Sequence, residues 1–240
     1  MRVQNAGLNA GVSSYRPNFQ IDRKRPAAVQ VYEDMRARIV SLELEPGTNI
    51  SRLELVEHYN VSQTPVRDAI ILLEKEGLIE VYPQSKSLVT KIDIDHATET
   101  QFLRTAFDIE VVRQLAELED KSILAEAREA LAGQRREIDG EWNLARFRDL
   151  DYRFHWALAN AVGQTNLWYL IIYRAGHIDR LRNLHLPDAG KANKILADHE
   201  RIMAAIDASD GDAAAQTVRW HLTGTLRAAP AIQEKHPLYF

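Results

Sequence analysis

The pattern of the chain changes near residue 92, and that change limits what it can fold into. Before this point, short apolar-periodic segments alternate with Pro and Gly punctuation and two strand-like runs. After it come long stretches rich in Ala, Leu, Glu and Arg, with apolar residues recurring at helical spacing. The 240 residues allow one large domain or two ordinary ones, and the pattern selects two, with a boundary at Thr90–Asp95. Charge follows the same division. Residues 1–92 carry 12 basic and 11 acidic side chains, whereas residues 93–240 carry 18 and 23.

Apolar residues make up 45% and charged ones 27%, the balance of a soluble globular protein. The net charge of −4 argues against a wholly basic nucleic-acid coat or a membrane-surface binder. Zero cysteines exclude disulfides, thiol catalysis and thiolate metal sites. No stretch approaches the roughly 20 apolar residues that cross a bilayer, and residues 1–25 lack the apolar core of a signal peptide. The expectation is a cytoplasmic protein with no membrane partner.

Residues 1–25 are aperiodic and read as a flexible arm, either a solvated tail or a basic segment that touches a phosphate backbone. In residues 26–92, a first helix spans about 27–42, with Val31, Met35, Ile39 and Leu42 on one face, and ends at Pro46-Gly47. Ser51-Arg52-Leu53-Glu54 is a capping box. The short helix it opens is expected to turn Leu53, Val56 and Tyr59 inward and to stop at Asn60, which tolerates the left-handed conformation. Ser62 caps a second short helix with Pro65 in its first turn, where a missing N–H costs nothing. Val66, Ile70 and Leu73 face the core, and Gln63, Thr64, Arg67 and Asp68 face outward. Two short helices joined this way make a helix-turn-helix. Residues 78–82 and 87–91 alternate like strands around 83–86, giving a β-hairpin wing. Such a module lays its second helix in the major groove of duplex DNA.

Pro46-Gly47, the run Val61-Ser62-Gln63-Thr64-Pro65-Val66-Arg67-Asp68-Ala69 and the run Leu73-Glu74-Lys75-Glu76-Gly77-Leu78-Ile79 resemble the DNA-binding domain of GntR-family transcriptional regulators. The resemblance implies that Arg67 reaches guanine and that Thr64 seats the helix on the backbone. Three positions depart from the family pattern. Gln63 stands where Arg is usual, which suits an adenine contact. Leu53 occupies the slot of a common Arg, with Arg52 beside it. The wing carries Ser85-Lys86-Ser87 where many members turn on Gly. The DNA-binding candidates are therefore Arg52, Ser62, Gln63, Thr64, Arg67 and Lys86.

Residues 95–228 read as about six helices (95–119, 121–139, 145–162, 165–186, 191–208 and 211–228), an antiparallel bundle, with 229–240 as a tail. The expected fold is thus mainly α, a winged helix-turn-helix followed by an all-α bundle. Asp151 and His155 lie one turn apart on one helix face. His199 opens the face of Ile202, Met203 and Ile206, and His221 follows Val218 by three. An isolated His on such a face is ordinarily a hydrogen-bonded core residue. Three of them with a carboxylate suit a divalent ion, zinc first, with nickel or manganese as alternatives.

Asp151-x-x-x-His155, Gly163-Gln164-Thr165-Asn166-Leu167, His199-Glu200, Gly211-Asp212 and His221 resemble the FCD effector domain of the FadR branch of the same family. The resemblance implies a metal held by Asp151, His155, His199 and His221, with open positions for water or a carboxylate ligand. It also implies that Arg104 meets the effector. Arg174 shares the spacing of Leu167, Ile171, Ile178 and Leu181, so its guanidinium is expected on the apolar side, where a buried cation needs an anion. That anion is an acidic effector or an internal partner such as Glu110 or Asp151; a surface Arg is the other reading. His177 is a further ligand or effector contact.

The function expected is a homodimeric, ligand-responsive regulator, a repressor, that binds double-stranded operator DNA and a small carboxylate. Two other readings stay open: a metal-responsive regulator with the metal as signal, and a metal-dependent enzyme. The enzyme would need a general base, and no His-Glu-x-x-His motif is present.

Overall fold

The computed structural model describes residues 19–83, 85–188 and 190–240. Most of the expected N-terminal arm lies outside the described residues. Its last stretch, 19–25, is tethered to the domain, although five of its seven residues are exposed. Phe19 meets the Tyr59 ring edge-on at 5.1 Å, and Arg25 pairs with Glu33.

The DNA-binding domain runs α1 (Ala27–Val40), α2 (Arg52–Tyr59), α3 (Gln63–Lys75), β1 (Ile79–Val81) and β2 (Ser87–Val89). Val31, Met35 and Ile39 of α1 pack against Val66, Ile70 and Leu73 of α3, all buried. Each contributes about 1.5–3 kcal/mol on removal from water. Ser51 caps α2 by accepting from the Glu54 amide at 3.3 Å, and Asn60 ends it at φ +49°. Leu53, expected inward, is 67% exposed. The buried stripe of this short helix is set by Leu55 and Tyr59, and two residues along a helix is about 200° around it. Ser62 holds the N-cap position of α3, but its hydroxyl makes no capping bond.

The wing pairs Ile79 with Val89 and Val81 with Ser87, antiparallel. Residues 47–50 extend it on the far edge of β2. The Gly47 amide donates to the Val89 carbonyl and the Ile50 amide to the Ser87 carbonyl, with Gly47 at φ +84°. The Pro46-Gly47 turn therefore brings a third short segment onto the wing.

The second domain contains α4 (Ile94–Glu117), α5 (Ala125–Asp139), α6 (Leu144–Ala161), α7 (Thr165–Arg174), α8 (Gly176–His185), α9 (Lys191–Asp207), α10 (Gly211–Arg227) and α11 (Ala229–Lys235). A 3-10 turn, Ser122–Leu124, precedes α5. Val112, Leu115, Phe154, Ile202, Ile206 and Val218 form the centre of its core. The helix expected over 165–186 is two helices broken at Ala175. A Cβ on Gly176 would lie 2.7 Å from Leu78 Cδ2, so the second helix starts where Leu78 of the DNA-binding domain lies close against it. Residues 229–240, expected as a tail, carry α11 and a second 3-10 turn. The Tyr239 carbonyl accepts from the Ile92 amide, which ties this end to the segment joining the domains.

Candidate metal centre and nucleic-acid interface

α6 sets Asp151 and His155 on one face, α9 supplies His199 and α10 supplies His221. One ligand atom from each lies within 4.8 Å of all the others. His155 Nε2 is 3.3 Å and His199 Nε2 is 3.2 Å from His221 Nε2, and Asp151 Oδ1 is 3.6 Å from His199 Nε2. Neighbouring ligands at about 2.0–2.2 Å from one ion stand about 2.9–3.6 Å apart, so these three separations fit a shared ion whose shell has room beyond four protein ligands.

The other nitrogen of each ring faces an acceptor. His155 Nδ1 is 3.4 Å from Asp108 Oδ2, His199 Nδ1 is 2.7 Å from Gln134 Oε1, and His221 Nδ1 is 3.5 Å from Asp198 Oδ2. A proton on each Nδ1 satisfies these acceptors and turns three Nε2 lone pairs toward one point. Facing lone pairs repel unless a cation lies between them, so the residues fit a metal.

Burial pushes the His155 imidazole down to about 4, with the Arg104 charge acting in the same direction. His199 lies well below its ordinary value because it is buried and faces His221 and His155. Both rings are therefore neutral, the form that binds metals. Burial opposes ionisation of Asp108, yet His155 and Arg104 hold its carboxyl below the usual range. Asp198 behaves likewise through His221 and Arg201. Phe154 stacks on His199 at 4.1 Å, fixing the ring from its flat side.

A cavity of about 320 Å³ opens beside this cluster, with Asp151, His155 and His221 in its wall. Arg104 also lines it. This buried guanidinium is 3.4 Å from Asp108 and lies 5.1 Å from the centre of the Trp168 ring. The structure therefore places Arg104 in the same cavity wall as the candidate ligands Asp151, His155 and His221. It does not bring Arg174 or His177 there. Arg174 ends α7, is about half exposed and faces Glu99 at 3.9 Å. Leu167 of the same expected stripe is 48% exposed; the buried stripe of α7 is Trp168 and Ile171, continued by Ala175, and Arg174 falls off it. His177 is buried away from the cavity. Its Nδ1 accepts from the Asp93 amide at 2.9 Å and lies 2.9 Å from Arg180 Nη2. Burial and the Arg180 charge push it down to about 3. Arg180 itself donates to the carbonyls of Thr90 and Lys91, so the pair braces the segment between domains.

Sequence reasoning missed Asp108, Gln134 and Asp198 around the ligands, and Arg36, Arg182 and Lys191 in the cavity wall. Asp108 carries a signal in its four-residue spacing from Arg104, and Asp198 in its place beside His199. Gln134 carries none.

On the other domain, Arg52, Ser62, Gln63, Thr64, Arg67 and Lys86 are all exposed. Gln63, Thr64 and Arg67 occupy the first turns of α3, where a helix tip enters a groove. Among the described residues Arg52 and Arg67 have no hydrogen-bond or ion-pair partner, which leaves both free for phosphate or base edges. Lys86 lies 5.4 Å from the centre of the Tyr82 ring, on the wing.

A winged helix-turn-helix with an open recognition face, carried on an all-helical body, defines a DNA-binding transcriptional regulator. Residues 27–89 match the bacterial regulatory proteins of the gntR family, and residues 99–224 match the FCD domain. The chain belongs to the GntR family and carries an FCD domain. It is 33% identical over 211 residues to an HTH-type transcriptional regulator in an unstable DNA locus of Streptomyces ambofaciens, covering 88% of each chain. It is 29% identical to the HTH-type transcriptional repressor RspR of Escherichia coli K12, covering 92% of this chain and 96% of that one. Among solved structures, a GntR regulator from Rhodococcus sp. RHA1 shares the fold with a TM-score of 0.69 at 20% identity, over 87% of this chain and 98% of that one. E. coli McbR/YncC does so at 0.67 and 20%, over 88% and 98%. Among the described residues no helix is long and apolar enough to cross a membrane.

Proposed function

We propose that the protein is a homodimeric repressor whose affinity for operator DNA is set by a small carboxylate bound beside a divalent metal, zinc first. The observation that carries this reading is the convergence of three Nε2 atoms and the Asp151 carboxylate at the wall of a cavity. Bound there, the ion supplies a Lewis-acidic anchor with open coordination positions.

The chain's own residues do the rest. Arg104, desolvated against Trp168, offers a guanidinium edge to a carboxylate, where a charge-assisted bond is strong. Trp168 and Leu222 exclude water from the cavity wall. Arg67 and Gln63 read base edges and Thr64 seats the helix on the backbone, with Arg52 and Lys86 as further contacts to the duplex. Two winged helices reach two half-sites only at the right separation, so a rotation between them changes affinity. The relatives' descriptions as transcriptional regulators, one of them a repressor, support regulation over catalysis.

The test is a thermal-shift screen of small carboxylates on the protein before and after chelation. A ligand at about 100 times its dissociation constant adds about 2.7 kcal/mol, a shift of several degrees. Stabilisation that requires the metal supports the reading. Chelation without effect, together with no shift from any acid, removes it. A change of operator affinity on chelation alone would make the metal the signal.

A further inference from the structure

The helical domain alone does not enclose the cavity. Arg36, Ala37 and Val40 of α1, a helix of the DNA-binding domain, form part of its wall. Arg36 is the most connected of them. Its Nε donates to Glu76 Oε2 at 2.8 Å, and its Nη2 donates to the Ile172 carbonyl at 2.8 Å, near the end of α7. Glu76 is the residue that ends α3, the recognition helix; its side chain is 1% exposed and also accepts from the Tyr32 hydroxyl. One guanidinium therefore touches the recognition helix, the helical domain and the cavity. Its Nη1 has no hydrogen-bond partner among the described residues.

The cavity wall carries five cationic side chains against three carboxylates. Asp151 belongs to the metal cluster, and Asp179 is held by Arg182 at 3.0 Å. Lys191 has no ion-pair partner among the described residues. Away from the cluster and Arg104, the wall thus keeps an excess of positive charge.

Resting on the effector reading above, we infer that Arg36 is a ligand contact contributed by the DNA-binding domain, and that the effector is a carboxylate bearing a second anionic group. The first anionic group sits at the cluster beside Arg104, and the second meets the free edge of Arg36. A ligand shifts a conformational equilibrium only through its different affinity for the two states. An anion held by both domains has that difference, because the Arg36 contact exists only while α1 is docked on α8 and the end of α7. The effector therefore stabilises the docked arrangement, and Arg36 conveys occupancy to the recognition helix through Glu76.

The experiment is calorimetry on the zinc-loaded full chain with lactate, malate, citrate and glucarate. These probes share an α-hydroxy acid head and differ in further carboxylates. Wild type is expected to bind at least one multicarboxylate ten or more times more tightly than lactate. Replacing Arg36→Gln together with Glu76→Gln avoids stranding a buried charge, and it should cut that preference to less than about twofold. Arg36→Lys, which keeps the charge but not the planar fork, should lose most of the preference and serves as the folded comparison. Hydrogen exchange should show the multicarboxylate slowing residues 72–77 and 170–174 in wild type and not in the variants. Retention of the preference in both variants overturns the assignment of Arg36. Lactate binding as tightly as every multicarboxylate in wild type overturns the dianionic class. Failure of all four probes on zinc-loaded wild type overturns the effector reading itself, and the Arg36 inference with it.

Discussion

The winged helix carries its recognition side chains on consecutive turns of α3, while the helical domain gathers its cluster from α6, α9 and α10. The two arrangements put opposite demands on the surrounding protein. Arg67, proposed to read DNA, is exposed and unpaired among the described residues, and its support is the buried face of the same helix, Val66, Ile70 and Leu73. The proposed metal cluster is enclosed, and Asp108, Gln134 and Asp198 each face the outer nitrogen of one ring. A reading surface tolerates change around it; a convergent buried site depends on several helices at once.

The largest expected effect follows from that dependence. His199→Ala removes a fully buried ligand and should weaken zinc binding by more than about 100-fold in a chelator-competition titration, beyond the cost of losing an outer partner. DNA affinity without effector should change less than twofold. If DNA affinity falls in parallel, the two regions are not separable in the way drawn. Next, Asp198→Asn leaves all four ligands in place and should cost about 10–100-fold in metal affinity; an unchanged dissociation constant would show that His221 needs no orienting partner.

On the other side, Arg67→Ala should weaken operator binding by about 1–3 kcal/mol and relax preference at one base position, with metal content unchanged. Equal losses across all sequences would make Arg67 a phosphate contact instead. The remaining effect is spread over a range of pH. His155, ordinarily near 6.5, is held at about 4 in the fold, so the unfolded chain takes up its proton first. The stability from keeping this ring neutral is present above about pH 6.5 and is lost as pH falls toward about 4, at about 1.4 kcal/mol per pH unit for one proton. Denaturant melts of metal-free protein across this range check the slope, which His155→Gln should reduce.

The same contrast decides what could be read from sequence. The capping box at Ser51, the left-handed Asn60 and Pro65 in the first turn of α3 are local signals, and each marks its element in the structure. Leu53 was placed on the wrong face because eight residues give too little periodicity to fix the phase of α2. The four cluster residues stood out through helical spacing and the family resemblance. Their orienting partners did not, since a buried Asp108 looks in sequence like any solvated carboxylate on a helix. The expected stripe through Arg174 runs one position out of phase with the buried side of α7, because Trp168 rather than Leu167 is the inward residue. Next to the break at Ala175, Leu78 of the DNA-binding domain lies over Gly176, a contact between domains that no local pattern encodes. Docking of α1 onto α8 and the end of α7, which brings Arg36 into the cavity wall, is hidden for the same reason.

The central claim is that three imidazoles and one carboxylate hold a metal. X-ray absorption at the zinc edge, on protein loaded with one equivalent, tests it most directly. The account predicts three imidazole nitrogens with oxygen completing the shell, at about 2.0–2.2 Å. An all-oxygen shell, or failure to retain one equivalent of zinc, nickel or manganese, would contradict it.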